Sequence, residues 1–155
     1  MKGRAAQQAV INRQRAVKIA LAPLRSFLKK VCQGLQLSPA EVTVCFVTDA
    51  EITRLNENFR RKRGPTDVLS FPSRRQPRGK HGKMSPRQTP LYLGDIAISP
   101  ATARRNAAKY ERTLPAELRI LMLHGVLHLL GYDHETDHGQ MTRLETKLRR
   151  RFGLA

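Results

Sequence analysis

The chain has 155 residues, 40% of them hydrophobic, which is enough for one buried core and excludes a disordered chain. Lysine and arginine number 29 against 12 acids, a formal net charge of +17, so polyanions, with RNA and DNA first, are the expected partners. No apolar run approaches the roughly 18 residues of a membrane span, and two isolated cysteines exclude a disulfide framework.

In chain order, residues 6–13 predict a short strand. The N-terminal stretch lacks acids until Glu41 and is rich in Ala and Arg, as transit peptides are, but the same residues read as folded elements. Ala20 to Leu35 predicts an amphipathic helix, because Leu21, Leu24, Phe27, Leu28, Val31 and Leu35 recur every three or four residues. Pro23 fits its first turn. Val42 to Val47 is β-branched and apolar and predicts a strand. Asp49 is the expected N-cap of a helix running to about Arg60, with Leu55 and Phe59 on its inner face. Thr66 to Phe71 predicts a second strand, closed by Pro72. Cys32 and Cys45 lie among apolar neighbours and read as buried thiols of a reducing, cytoplasmic location.

Residues 73–90 change character: six basic residues, three prolines and no acid predict a long, mobile basic loop, of a length that is commonly functional or disordered. His81 lies there without an evident partner. Tyr92 to Ser99 predicts a strand. Ser99-Pro100 starts a helix to about Tyr110, with Ser99 as cap and Pro100 at the first helical position. A long apolar helix is expected from about Pro115 to Leu130, ended by Gly131, and a last helix from about Asp137 to Phe152 with Leu144 and Leu148 inward. Strands and helices mix without regular alternation, without repeats and without a linker. One domain over residues 1–155 is expected, with about four strands and about five helices.

Residues 124–134 read His-Gly-Val-Leu-His-Leu-Leu-Gly-Tyr-Asp-His. His124 and His128, four apart, share one helix face. Gly131 ends the helix and lets His134 swing back as a third ligand. Three imidazoles leave a fourth position open, the pattern of a catalytic rather than a structural zinc site. The spacing matches the long zincin motif, in which a glutamate follows the first histidine as the peptidase base. Here Gly125 stands in that position, which weighs against a peptidase. His138 reads as a capping or solvent-exposed residue. Asp67, Asp95 and Asp133 are candidates either for orienting a metal-bound histidine or for fixing a loop.

At this point the sequence resembles the YbeY family of metal-dependent endoribonucleases. The resemblance rests on the histidine stretch, on Leu55-Asn56 with Phe59-Arg60, on Pro65-Thr66-Asp67-Val68-Leu69-Ser70-Phe71-Pro72, on Leu93-Gly94-Asp95-Ile96, and on Asn12-Arg13-Gln14. It implies an α+β fold, a small mixed β-sheet of about four strands packed by about five helices, and one zinc ion at His124, His128 and His134, other divalent transition metals being acceptable to imidazole. It implies Arg60 as the functional arginine near the metal. It also implies single-stranded RNA as substrate, a role in ribosomal RNA processing, and association with the small ribosomal subunit. Arg60 taken alone reads more readily as a surface residue in the run Arg60, Arg61, Lys62, Arg63. The competing class is a noncatalytic ribosome-assembly factor with a structural metal.

Overall fold

A computed structural model describes residues 8–37, 40–73 and 91–154. Residues 74–90, nearly all of the predicted basic loop and His81 with it, lie outside the described residues. Four strands and five helices follow one another as β1 (Gln8–Asn12), α1 (Leu21–Gly34), β2 (Ala40–Phe46), α2 (Asp49–Arg60), β3 (Val68–Pro72), β4 (Leu91–Ile98), α3 (Pro100–Lys109), α4 (Leu114–Leu129) and α5 (Gln140–Arg151). The fold is α+β, as the resemblance implies.

The sheet has the order β1-β2-β4-β3. β1 runs parallel to β2, and β2 parallel to β4; β3 runs antiparallel to β4. Alternation along β2 explains its two sides. Val42, Val44 and Phe46 are fully buried in the main core, while Thr43 and Cys45 face the other way and are only partly covered. The main core lies between the sheet and the helices, where α4 packs on β3 and β4 and against α1, α3 and α5. A smaller cluster of Val47, Ile52, Leu69 and Ala97, with Cys45, Leu55 and Phe71 against it, forms beneath α2.

Three expectations change. The N-cap of α2 is Thr48, whose hydroxyl accepts the Glu51 N–H at 3.1 Å. Asp49 is instead the first helical residue. Its carboxylate accepts hydrogen bonds from Ser99 Oγ (2.5 Å), Thr102 Oγ1 (2.7 Å) and Arg105 (2.9 Å), tying α2 to the start of α3. Phe59 shares the side of Ile52 and Leu55 but is not buried there. It is 65% exposed and packs edge-on against Phe71, with ring centroids 5.0 Å apart. The inner face of α2 is carried by Ile52, Leu55 and Asn56, because the chain turns away at Arg61, which has a left-handed backbone (φ +52°). α5 begins at Gln140 rather than Asp137. The Asp137 carboxylate lies before the helix and accepts the N–H groups of Met141 and Gly139, both at 2.8 Å, and so satisfies its entrance from outside.

Ser99 and Pro100 start α3 as expected, with Ser99 Oγ accepting the Thr102 N–H at 3.3 Å. Cys32 is buried and Cys45 partly so, and both are free thiols. Among the described residues no helix is long and apolar enough to cross a membrane.

Candidate functional site

α4 is apolar nearly all round, so it lies buried, and its last two turns carry the histidines. The helix ends in a Schellman arrangement. Gly131 N–H donates to the His128 carbonyl at 3.0 Å, and Tyr132 N–H to the Leu127 carbonyl at 3.1 Å. Gly131 has φ +95°, a backbone that a side chain disfavours, although the space around its Cα is open. The chain therefore reverses within two residues. A tight turn follows, in which Asp133 Oδ1 accepts the Glu135 N–H and the Asp133 carbonyl accepts the Asp137 N–H, each at 3.0 Å. That turn carries His134 back over the end of α4.

The three imidazoles converge. One ligand nitrogen from each of His124, His128 and His134 lies within 4.8 Å of the other two. The Nε2 atoms of His124 and His128 are 3.0 Å apart. Two nitrogens each about 2.1 Å from one tetrahedral ion would stand roughly 3.4 Å apart, so the donors fit a single zinc-sized ion after a small outward adjustment. Burial, followed by the charges of His124 and His134, lowers the pKa of His128 below the usual imidazole value. The neutral form is the one that binds metal.

Glu145, on α5, meets His124 Nδ1 with its two carboxylate oxygens at 3.2 and 3.3 Å. A proton held on Nδ1 by that carboxylate leaves Nε2 as the free lone pair, directed at the other histidines. The sequence reading missed Glu145 and offered Asp67, Asp95 and Asp133, none of which hydrogen-bonds these histidines. Asp67 accepts from Asn106 Nδ2 at 3.1 Å and joins β3 to α3. Asp95 takes the Tyr92 hydroxyl on the outer side of β4. Asp133 fixes its own turn. The available signal for Glu145 was its position beside Leu144 on the partly covered side of α5, in a helix with no other acid. His138 is exposed, as expected.

Gly125 has a structural reason to be glycine. A Cβ there would lie 2.8 Å from Ile96 Cγ2 and 2.9 Å from Ile96 Cδ1, so this position is pressed against β4. The Gly125 carbonyl also accepts the Ser70 hydroxyl at 3.1 Å, which pins α4 to β3. A glutamate at 125 would enter the sheet contact instead of facing the histidines.

A cleft of about 850 Å³ opens over the histidines. One wall is β3 with Thr66 and Asp67 just before it, another is the turn from Gly131 to Glu135, and the third is Phe59 with Arg60 at the end of α2. Arg60 is exposed, and among the described residues no carboxylate pairs with it. Its place is set by the turn that follows. Arg61 N–H bonds the Glu57 carbonyl at 3.1 Å, and Asn56 Nδ2 bonds the Gly64 carbonyl at 3.1 Å, so the chain folds back beneath it. The structure thus brings Arg60, His124, His128 and His134 to one cleft.

Comparison with known proteins agrees with this architecture. A family model described as endoribonuclease YbeY matches residues 9–153. An endoribonuclease YbeY of Solibacter usitatus is 50% identical over 130 residues, covering 84% of this chain and 75% of that protein. One from Thermodesulfovibrio yellowstonii is 36% identical over 157 aligned positions, covering 90% of this chain and 92% of its own length. The solution structure of a Thermotoga maritima protein superposes with a TM-score of 0.55 at 27% identity, covering 91% of this chain and 85% of that one.

Proposed function

Because the chain belongs to the endoribonuclease YbeY family, we propose that it is a zinc-dependent endoribonuclease that cuts single-stranded RNA, acting in ribosomal RNA processing and small-subunit maturation. The observation that carries the reading is one cleft holding three converging imidazoles and an arginine that no described carboxylate neutralises.

Each residue has a physical task in it. Arg60 offers a planar fork of N–H donors to the oxygens of a phosphodiester and stabilises the charge that builds there during cleavage. Glu145 orients His124, and burial keeps His128 neutral, so the donors are arranged before any ion arrives. Zinc bound by His124, His128 and His134 would supply Lewis-acid activation of water and positive charge in the cleft. Phe59, exposed at the cleft wall, offers a flat apolar face to an unstacked base. Paired bases in a duplex are not available to such a face, which favours single strands. The ribosomal assignment rests on the family resemblance and is consistent with a net charge of +17.

The test combines metal content with cleavage. His128→Ala should lose stoichiometric zinc by elemental analysis. Arg60→Ala should keep zinc and lose about 10²-fold in the cleavage rate of a labelled single strand, the usual cost of removing one preorganised charge-stabilising donor. Equal cleavage by Arg60→Ala and wild type, or an activity that disappears on further purification, would favour the assembly factor whose metal only braces the fold.

A further inference from the structure

α5 has two sides of different chemistry. Met141, Leu144 and Leu148 turn to the core, and Glu145, the one acid in the helix, is taken up by His124. Arg143, Lys147 and Arg150, spaced four and three residues apart, share the opposite side and are exposed. At its C-terminal end α5 delivers Arg151 and Phe152 to a second cavity of about 700 Å³, lined also by Phe27 and Lys30 of α1 and Arg119 of α4.

This cavity is distinct from the metal cleft. Arg119 precedes His128 by nine residues on α4, which places it half a turn round the helix and about 14 Å along it. No carboxylate lines the cavity, and among the described residues none of Lys30, Arg119 and Arg151 forms an ion pair. The two arginines are positioned by packing instead. Arg151 donates to the Gly34 carbonyl at 3.3 Å and lies 5.9 Å from the Phe152 ring centre, and Arg119 lies 6.0 Å from that of Phe27. Guanidiniums held by aromatic faces and a carbonyl keep their other N–H donors for a phosphate.

We infer that this cavity and the basic stripe of α5 form a second RNA-binding site, which grips backbone phosphates of the substrate strand away from the cleavage cleft. The identity of the strand rests on the nuclease reading above; the site itself rests on the geometry. The span from Arg143 to Arg151 is about 12 Å, longer than one phosphate group reaches. A ligand that touches both ends must be a polyanion. A membrane fits less well, because the rings are recessed (Phe27 is only 7% exposed) and a concave cavity excludes a flat bilayer.

The test is fluorescence anisotropy of zinc-loaded protein with a labelled 2′-O-methyl oligouridylate of twenty nucleotides, confirmed intact by gel afterwards, at several salt concentrations. Each phosphate contact with a single strand contributes about 0.7 to the slope of log affinity against log salt. Lys30→Gln/Arg151→Gln should lower that slope by about 1.4 and weaken binding at least tenfold. Arg143→Gln/Lys147→Gln/Arg150→Gln, on an exposed surface where the bond given up is that of Arg143 to the His138 carbonyl at 3.2 Å, should lower it by about 2. Unchanged affinity and slope in both variants overturns the inference. So does unchanged RNA binding with lost binding to phosphatidylserine vesicles, which would assign the face to a membrane. Binding is read without cleavage, so a wild type that cuts no RNA leaves this result standing and the two readings fail separately.

Discussion

Replacing Gly125 with alanine should destabilise the protein through one contact, with Ile96. The new methyl would lie 2.8 and 2.9 Å from two carbons of that side chain. Carbon atoms at rest stand about 3.5–4.0 Å apart, so either α4 and β4 part by roughly 0.7–1 Å or Ile96 leaves its rotamer. Ile96 is fully buried in the main core, which leaves it little room to move. Overpacking of this kind costs about 1–3 kcal/mol, and the better helix propensity of alanine offsets about 0.8–1 kcal/mol of it. The expected net loss is about 1 kcal/mol, or a melting temperature lower by about 2–4 °C for a chain of this size. Urea unfolding of Gly125→Ala, alone and combined with Ile96→Val, measures it. Removing the Ile96 Cδ1 methyl should recover part of the loss, so the two changes should not add. A Gly125→Ala protein as stable as wild type, or equally costly in both backgrounds, would refute the wedge. It would also reopen position 125 to a catalytic side chain.

Glu145→Ala should weaken zinc binding about 10–100-fold in competition with a fluorescent chelator, since the partner that orients His124 is gone; unchanged affinity would mean that His124 needs no orienting. Desolvation opposes ionisation of Asp49, but hydrogen bonds from Ser99, Thr102 and Arg105, with the charge of Arg105, outweigh it and depress its pKa. A depressed carboxyl stabilises the fold above its unfolded pKa of about 3.9 and ceases to as pH falls through the folded value. Asp49→Asn should therefore flatten the acid limb of a stability–pH curve below about pH 4, and an identical limb removes the α2–α3 tie from the account. Burial pushes the Cys32 thiol up to about 11. The unfolded thiol ionises from about pH 8.5 while the folded one stays protonated, so stability should decline as pH rises from there towards 11. Mass spectrometry after brief iodoacetamide treatment at pH 8 should find Cys45 modified before Cys32, and the reverse order contradicts the burial.

Much of the fold was legible because local chemistry and tertiary packing agree. The apolar spacing of residues 21–35 produces α1, the β-branched run after residue 42 produces β2, and Ser99-Pro100 starts α3. The histidine spacing was readable for the same reason, since a helix and a glycine turn are both local. What was not legible depends on distant partners. Thr48 and Asp49 are both good caps, and only the approach of α3 explains why Asp49 serves Ser99, Thr102 and Arg105. Helical periodicity placed Phe59 inward, yet α2 stops burying residues at Asn56, and Phe59 meets Phe71 from another strand. Glu145 reaches His124 from a separate helix, and Gly125 is dictated by Ile96 on β4.

The strand order has a consequence for synthesis. β2 lies between β1 and β4, and its partner on the second side is made only after α2 and β3, since Val42 pairs with Gly94. A chain emerging N-terminus first carries β2 with one open edge until residue 98 has been added. That edge, in the sequence Ala-Glu-Val-Thr-Val-Cys-Phe, has one charge and a strong tendency to pair. The histidine-bearing helix follows β4, so the metal ligands are the late arrivals. A translation arrest before residue 98 would therefore yield a sticky fragment that captures other chains and lacks all three clustered histidines.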